Sequence, residues 1–224
     1  MTKQRQFGFS LLESVLATAV IMIGIVSIIS LAIVSLVGGE VTSDEFMAVN
    51  FAREAMESIR VQRDSNWLAM DAGLTAAWND NLYELSGTTY DYSGIVTMGI
   101  GGSTRFSFLP NSFGDTCVGA SSTVYDCTSI WYESSRTRYI QSTDITFVPA
   151  SYEETKFQRL VMLYPICRDS SSGLEQIISG TGNCAGLGAT WSQVGIDAIV
   201  QMHWPERTDY RTYTIEEHLY DWKY

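Results

Sequence analysis

The chain has 224 residues, 46% hydrophobic and 17% charged, with a formal net charge of −11 at pH 7. That length fits one ordinary domain plus a membrane helix, leaving about 180 residues for a core. The acidic balance, with basic residues few and scattered beyond Arg63, argues against a nucleic-acid-binding surface.

Residues 1–8 read as a leader peptide, with Lys3 and Arg5 keeping it on the cytoplasmic side. From Ser14 to Val37 there is no charged residue, a run of about 24, long enough to span a bilayer as a helix. Glu13 sits at the mouth of that run. A secretory signal peptide would show a shorter apolar core with its cleavage site behind it. Here the candidate cut, Gly8–Phe9, lies ahead of the apolar core, so the helix stays in the mature chain. Ser10 and Glu13 stand at capping-box spacing, which starts the helix there.

Residues 9–37 are thus the membrane half of one long helix, and residues 38–64 are expected to be its amphipathic half. Val49, Ala52, Met56 and Ile59 recur at three- and four-residue intervals. Arg53 and Glu57 are spaced for an ion pair on the opposite face. Gly38-Gly39 costs helix stability and marks a bend or frayed turn. Asp64-Ser65-Asn66 supplies turn residues that end the helix.

Residues 65–224 form the head. Leu68 to Ser86 is mixed, a short helix or turns around Leu74, Trp78 and Leu82. From Thr89, short runs of Tyr, Thr, Val, Ile and Phe separated by Gly, Ser and Asn predict an antiparallel sheet. The candidate strands are Tyr90–Met98, Thr104–Leu109, Ile130–Ile140, Asp144–Val148 and Phe157–Ile166. The clearest alternation is at the C-terminus, where Ile196, Ala198, Val200, Met202 and Trp204 share one strand face. With Tyr213, Ile215 and Leu219 they predict a hairpin whose apolar face seats the amphipathic half-helix. The fold class is α+β.

Four cysteines fall at Cys117, Cys127, Cys167 and Cys184. None is spaced for zinc, and an even count in an exported chain suggests disulfides. Three pairings are open. Closing each Gly/Ser-rich loop locally, Cys117–Cys127 and Cys167–Cys184, is the preferred one, with free buried thiols as the bland alternative.

Catalytic signals are weak. His203 and His218 are the only imidazoles. A hairpin folded about residue 207 puts His203 opposite position 211 and His218 opposite position 196, more than about 20 Å apart, too far for one metal. The acid pairs read as solubilising charge: in Glu153-Glu154 and Glu216-Glu217 adjacent strand residues face opposite ways, and Asp44-Glu45 on the helix faces water beyond the membrane. The Gly-rich stretch from Gly180 to Gly186 lacks the lysine of a phosphate loop and reads as a loop tip. Tyr220-Asp221-Trp222-Lys223-Tyr224 reads as sheet-edge packing, with an adhesive or docking patch as the alternative. No catalytic residue, metal or cofactor is expected.

Phe7-Gly8-Phe9-Ser10-Leu11-Leu12-Glu13, between a basic leader and an uninterrupted apolar run, resembles the processing site of type IV prepilins and the related pseudopilins of type II secretion. Within that family the chain is similar to the minor-pilin-like type IV pilus modification protein group. The resemblance covers about the first 63 residues. It implies a pilin-like fold, with the long N-terminal helix packed on the sheet of the head. It implies a prepilin peptidase that cuts after Gly8 and methylates the new amine of Phe9. It also implies that Glu13 pairs with the amine of a neighbouring subunit during assembly. The implied partners are other pilin subunits, the prepilin peptidase, the inner-membrane assembly platform and membrane lipid, with no nucleic acid. The subunit would cross the cytoplasmic membrane once, C-terminus outside, before entering a surface pilus or periplasmic pseudopilus. Many pilins carry a proline midway along this helix, whereas the first proline here is Pro110. Calcium in an acidic loop occurs in the family, but the spacing around Asp115 and Asp169 supplies no ligand set. The long loops lean toward a minor subunit. The alternatives are a tip adhesin or DNA-receptor pilin binding through the disulfide loops, and a membrane-anchored exported enzyme.

Mass spectrometry of the membrane fraction checks the processing site. The expected mature chain begins at N-methylated Phe9, and Gly8→Leu leaves a longer precursor outside any filament.

Overall fold

The computed structural model describes residues 11–74, 77–80, 82, 84–86, 89–91, 93–98, 106–110, 128–141, 152–179, 182–207 and 209–221, with the strands between 84 and 110 described by their backbone alone. Gly8, Phe9, the Cys117–Cys127 pair and the strand expected at Asp144–Val148 lie outside those residues. The chain divides into two compact units, Met1–Phe46 and Met47–Tyr224. A long apolar N-terminal helix and an antiparallel sheet give the expected α+β layout.

Helix α1 spans Leu11–Asp71. It passes unbroken through Gly38 and Gly39, so the weak turn expected there does not form. It also passes the expected stop at Asp64-Ser65-Asn66. The reason lies in Asn66, whose buried amide donates to the carbonyls of Trp78 at 2.9 Å and Asp80 at 2.7 Å. Its side chain is committed to a tertiary contact, so it does not compete with the helix backbone. Trp67 beside it enters the core, with the Arg63 guanidinium 4.9 Å from its ring centre. The helix ends at Asp71, seven residues beyond the expected boundary, and is capped at Gly73. Gly73 has φ +71° and its N–H donates to Met70 O, while Leu74 N–H donates to Ala69 O. These two bonds make a Schellman cap, which favours glycine at the left-handed position.

Within Met47–Tyr224, the helix buries Ala48, Phe51, Ala52, Ala55, Met56 and Ile59. Three of these six residues are alanines, and all six share one buried cluster with the sheet. The sequence stripe named Val49, which is only half-buried, and missed Ala48 and Phe51. Glu57 is not held by Arg53 as expected. It is engaged by Arg60, which also holds Glu217 on the sheet. Facing the sheet gives Arg60 two carboxylates at once.

The strands are β1 Glu84–Ser86, β2 Thr89–Asp91, β3 Ser93–Met98, β4 Phe106–Pro110, β5 Ser129–Glu133, β6 Arg138–Gln141, β7 Tyr152–Asp169, β8 Glu175–Ile177, β9 Trp191–Glu206 and β10 Asp209–Tyr220. β1 and β2 pair with each other. The main sheet runs β10-β9-β7-β3-β4 and every described pairing is antiparallel. β7 is its spine. One edge pairs with β9 over Gln158–Asp169, and the other is shared by β5, β3 and β8. The strand expected at Ile130–Ile140 is two strands, β5 and β6, joined by a turn in which Thr137 has φ +51°. Glu133 accepts from both Ser135 and Arg138, which closes that turn.

Ile196, Ala198, Val200, Met202 and Trp204 are all buried on one face of β9, as the alternation predicts. Leu163 and Val161 of β7 stand opposite Ala198 and Val200, and these residues share one core with the buried helix residues. Arg159 crosses this core. Its guanidinium donates to the Phe51 carbonyl at 3.0 Å and to Gln141 Oε1 at 3.0 Å, and lies 3.5 Å from Glu54. Burial pulls its pKa down from the ordinary value, and Glu54 works against that. A buried cation held this way ties β7 and β6 to one turn of α1.

Met56 is 1% exposed, so Met56→Ala should cost about 2–5 kcal/mol. Val61 is 58% exposed, and Val61→Ala should stay within about 0.5 kcal/mol. Denaturant unfolding of the full chain in detergent micelles, followed by tryptophan fluorescence, reads both.

Candidate functional site

The membrane half of α1 is apolar on every side. From Leu11 to Leu36 its large apolar side chains are 52–82% exposed. The helix is long and apolar enough to cross a membrane, which is compatible with a membrane anchor. Two of the hydroxyls on it, those of Thr18 and Ser27, are satisfied within the helix. Thr18 donates to the Val15 carbonyl at 2.9 Å and Ser27 to the Ile23 carbonyl at 2.8 Å. They therefore add little cost in a medium without water.

Glu13 is the one acid in the first described turn of this helix, and it is exposed. Among the described residues it has no ionic or hydrogen-bonding partner. A carboxylate in that position favours the positive end of the helix dipole and needs a cation if lipid or protein surrounds it. Gly8 and Phe9, the residues expected to supply the cut and the amine, are outside the described residues.

Of the expected disulfides, Cys167–Cys184 forms, with a Cα–Cα distance of 5.4 Å. Cys167 lies near the end of β7, and Cys184 opens a 3-10 turn, Cys184–Leu187. Asn183 caps that turn by accepting from Gly186 N–H at 3.0 Å. The described part of the Gly-rich stretch is therefore an ordered, covalently tied turn, more than the simple loop tip expected. The same loop carries Asp169. Its carboxylate accepts from the Ser171 backbone and hydroxyl and from the Ser172 hydroxyl. These hydrogen bonds fill its oxygens and shape the turn at Gly173, which has φ +75°.

The C-terminal hairpin carries the largest departure at the level of single residues. Asp209 pairs with Glu206, so His203 faces Thr212 and His218 faces Asp197. The expected register was one residue off for both histidines. The strands are joined by the two positions 207 and 208, with Arg207 at φ +57°, and a two-residue connection fixes that register. The two imidazoles still stand six strand positions apart, consistent with separate sites. His203 stacks on Tyr210 with centroids 4.7 Å apart.

The corrected register has a chemical consequence. His218 Nε2 lies 3.6 Å from Asp197 Oδ1 and 3.6 Å from Glu216 Oε1. Donor atoms of all three residues fall within 4.8 Å of one another. Glu216 and Glu217 do point to opposite faces: Glu217 meets Arg60 of the helix, while Glu216 joins this group. Burial, and then the nearby Glu216 charge, push the Asp197 carboxyl up, with His218 opposing. Asp197 alternates with Ile196 and Ala198 in the sequence, a pattern that marks a polar, outward residue and does not reveal its 3% exposure.

No protein-family model, curated protein or solved structure matches this chain.

The turn at Asp169 generates a pH prediction. Hydrogen bonds from Ser172, Thr190 and Ser171 hold its carboxyl far below the usual range. A depressed folded pKa stabilises the fold above the unfolded value and is lost as pH falls toward the folded one. The stability gap between the parent and Asp169→Ala should be full at neutral pH and shrink below about pH 4. Unfolding curves at several pH values check this, and a gap that stays constant into acid would exclude it.

Proposed function

We propose that this chain is a structural subunit, of the minor class, in a type IV pilus or type II secretion pseudopilus. The carrying observation is the conjunction on α1: apolar side chains exposed on all faces from Leu11 to Leu36, with one carboxylate, Glu13, at their head that has no partner among the described residues. Such a surface must leave water. Lipid can cover it while the subunit waits in the membrane. Copies or relatives of the same helix can cover it in a filament, where association comes from close packing and polar pairs rather than from the hydrophobic effect.

Glu13 sets the register of that exchange. In lipid it reaches the headgroup layer; in a bundle it is buried and requires a cation. The amine released by cleavage at Gly8–Phe9, methylated on Phe9, supplies one from the next subunit. A prepilin peptidase and an inner-membrane assembly platform are the implied processing and assembly partners.

The charge on the head supports a protein-facing role over a polyanion-binding one. Arg60, Arg63, Arg136, Arg138, Arg159, Arg168 and Arg211 each sit against a carboxylate. Little bare positive charge is left among the described residues. We assign no enzymatic activity.

Glu13→Ala should leave the subunit in the membrane fraction at parental level and reduce its entry into sheared filaments at least about tenfold, the loss of one strong charge pair. Glu13→Asp should recover part of the incorporation. Equal incorporation of Glu13→Ala would remove the proposal's basis.

A further inference from the structure

The outer face of the β9–β10 hairpin, away from α1, holds a group that the filament reading does not use. Asp197 is 3% exposed and its Oδ1 is closed to solvent with no hydrogen-bond partner. His218 Nε2 is 3.6 Å away, outside hydrogen-bond reach. The same nitrogen is 3.6 Å from Glu216 Oε1. A buried carboxylate oxygen without a partner is costly, and a native fold normally compensates it.

We propose that Asp197, Glu216 and His218 form a site for a first-row divalent cation of the Zn²⁺ class. Donor atoms bound to such an ion at 2.0–2.2 Å lie about 3.3 Å from one another in tetrahedral geometry. Two of the gaps here, 3.6 Å, are wider by only a few tenths of an ångström. The third closes by rotation of Glu216 and His218, whose side chains are 56% and 43% exposed. One imidazole and two carboxylates match zinc, manganese or iron(II) better than Ca²⁺, which takes six to eight oxygens.

The surroundings favour a cation. Glu175 on β8 is already held by Arg168 and accepts from Tyr220 Oη at 3.0 Å. Its charge is thus offset, and Arg168 is turned to Glu175. Tyr164 stands opposite Asp197 on β7, and Tyr220 lies against His218 with ring centres 6.3 Å apart. Two carboxylates therefore share the space with one imidazole. A bound ion would join edge strand β10 to β9 through side chains as well as through the backbone ladder. A fourth coordination position stays open to solvent. This site stands apart from α1 and does not depend on the filament reading.

The test uses the full chain in detergent micelles, stripped with chelator and kept free of reductant so that disulfides stay closed. Equilibrium dialysis against ZnCl₂, with elemental analysis, should give one bound equivalent at micromolar free ion. Bound Zn²⁺ should also raise Tm by linkage. His218→Gln and Glu216→Gln change exposed side chains and should each weaken binding at least about tenfold. His203→Gln, on the other imidazole, should change nothing. Retained binding in His218→Gln, or no zinc bound by the parent at millimolar ion, would overturn the site. Filament entry of His218→Gln at parental level alongside lost zinc binding separates this result from the outcome for Glu13.

Discussion

One constraint governs the N-terminal part of this chain: large apolar side chains stay exposed along α1 from Leu11 to Leu36. Each large aliphatic side chain gains about 1.5–3 kcal/mol when fully removed from water. Summed over that stretch the drive is tens of kcal/mol, against the roughly 5–15 kcal/mol that holds an ordinary domain together. A drive of that size is compatible with a membrane anchor. The hydroxyls of Thr18 and Ser27 fold back onto the helix backbone, and Glu13 is the one charged residue between Leu11 and Leu36.

The other half of the same helix follows ordinary globular rules. Between Ala48 and Ile59 it turns a small-residue stripe to the sheet, and β9 returns an unbroken apolar face. Three polar devices then fix position within that apolar contact. Arg159 reaches from β7 to the Phe51 carbonyl, Arg60 reaches from α1 to Glu217, and Asn66 ties the helix end to the turn at Trp78–Asp80. Apolar burial is non-directional. Directional groups of this kind hold the helix in one position against the sheet.

The two faces of the sheet are used differently. The inner face is spent on seating α1. On the outer face the hairpin register gathers Asp197, Glu216 and His218, and the Cys167–Cys184 link with the Asp169 turn orders the loop beyond β7. Both features sit in the unit Met47–Tyr224.

Much of this was legible in residue order. The long apolar run, its lone acid, the amphipathic stripe through Ala52, Met56 and Ile59, the alternation along Ile196–Trp204 and the Cys167–Cys184 pairing are periodic or local features, and periodicity survives without a structure. The helix stop was not legible. Asn66 is a turn-former by type, and only its bonds to carbonyls twelve and fourteen residues away kept it helical. The split of Ile130–Ile140 into β5 and β6, and the choice of Arg60 over Arg53 as the partner of Glu57, likewise turn on which groups folding brings near. The hairpin register was missed by a single residue, and that residue decided whether His218 met Ile196 or Asp197. Sequence alone determined what must leave water, because hydrophobicity belongs to each side chain. Tertiary structure decided which charges meet, because that depends on distances that residue types do not encode.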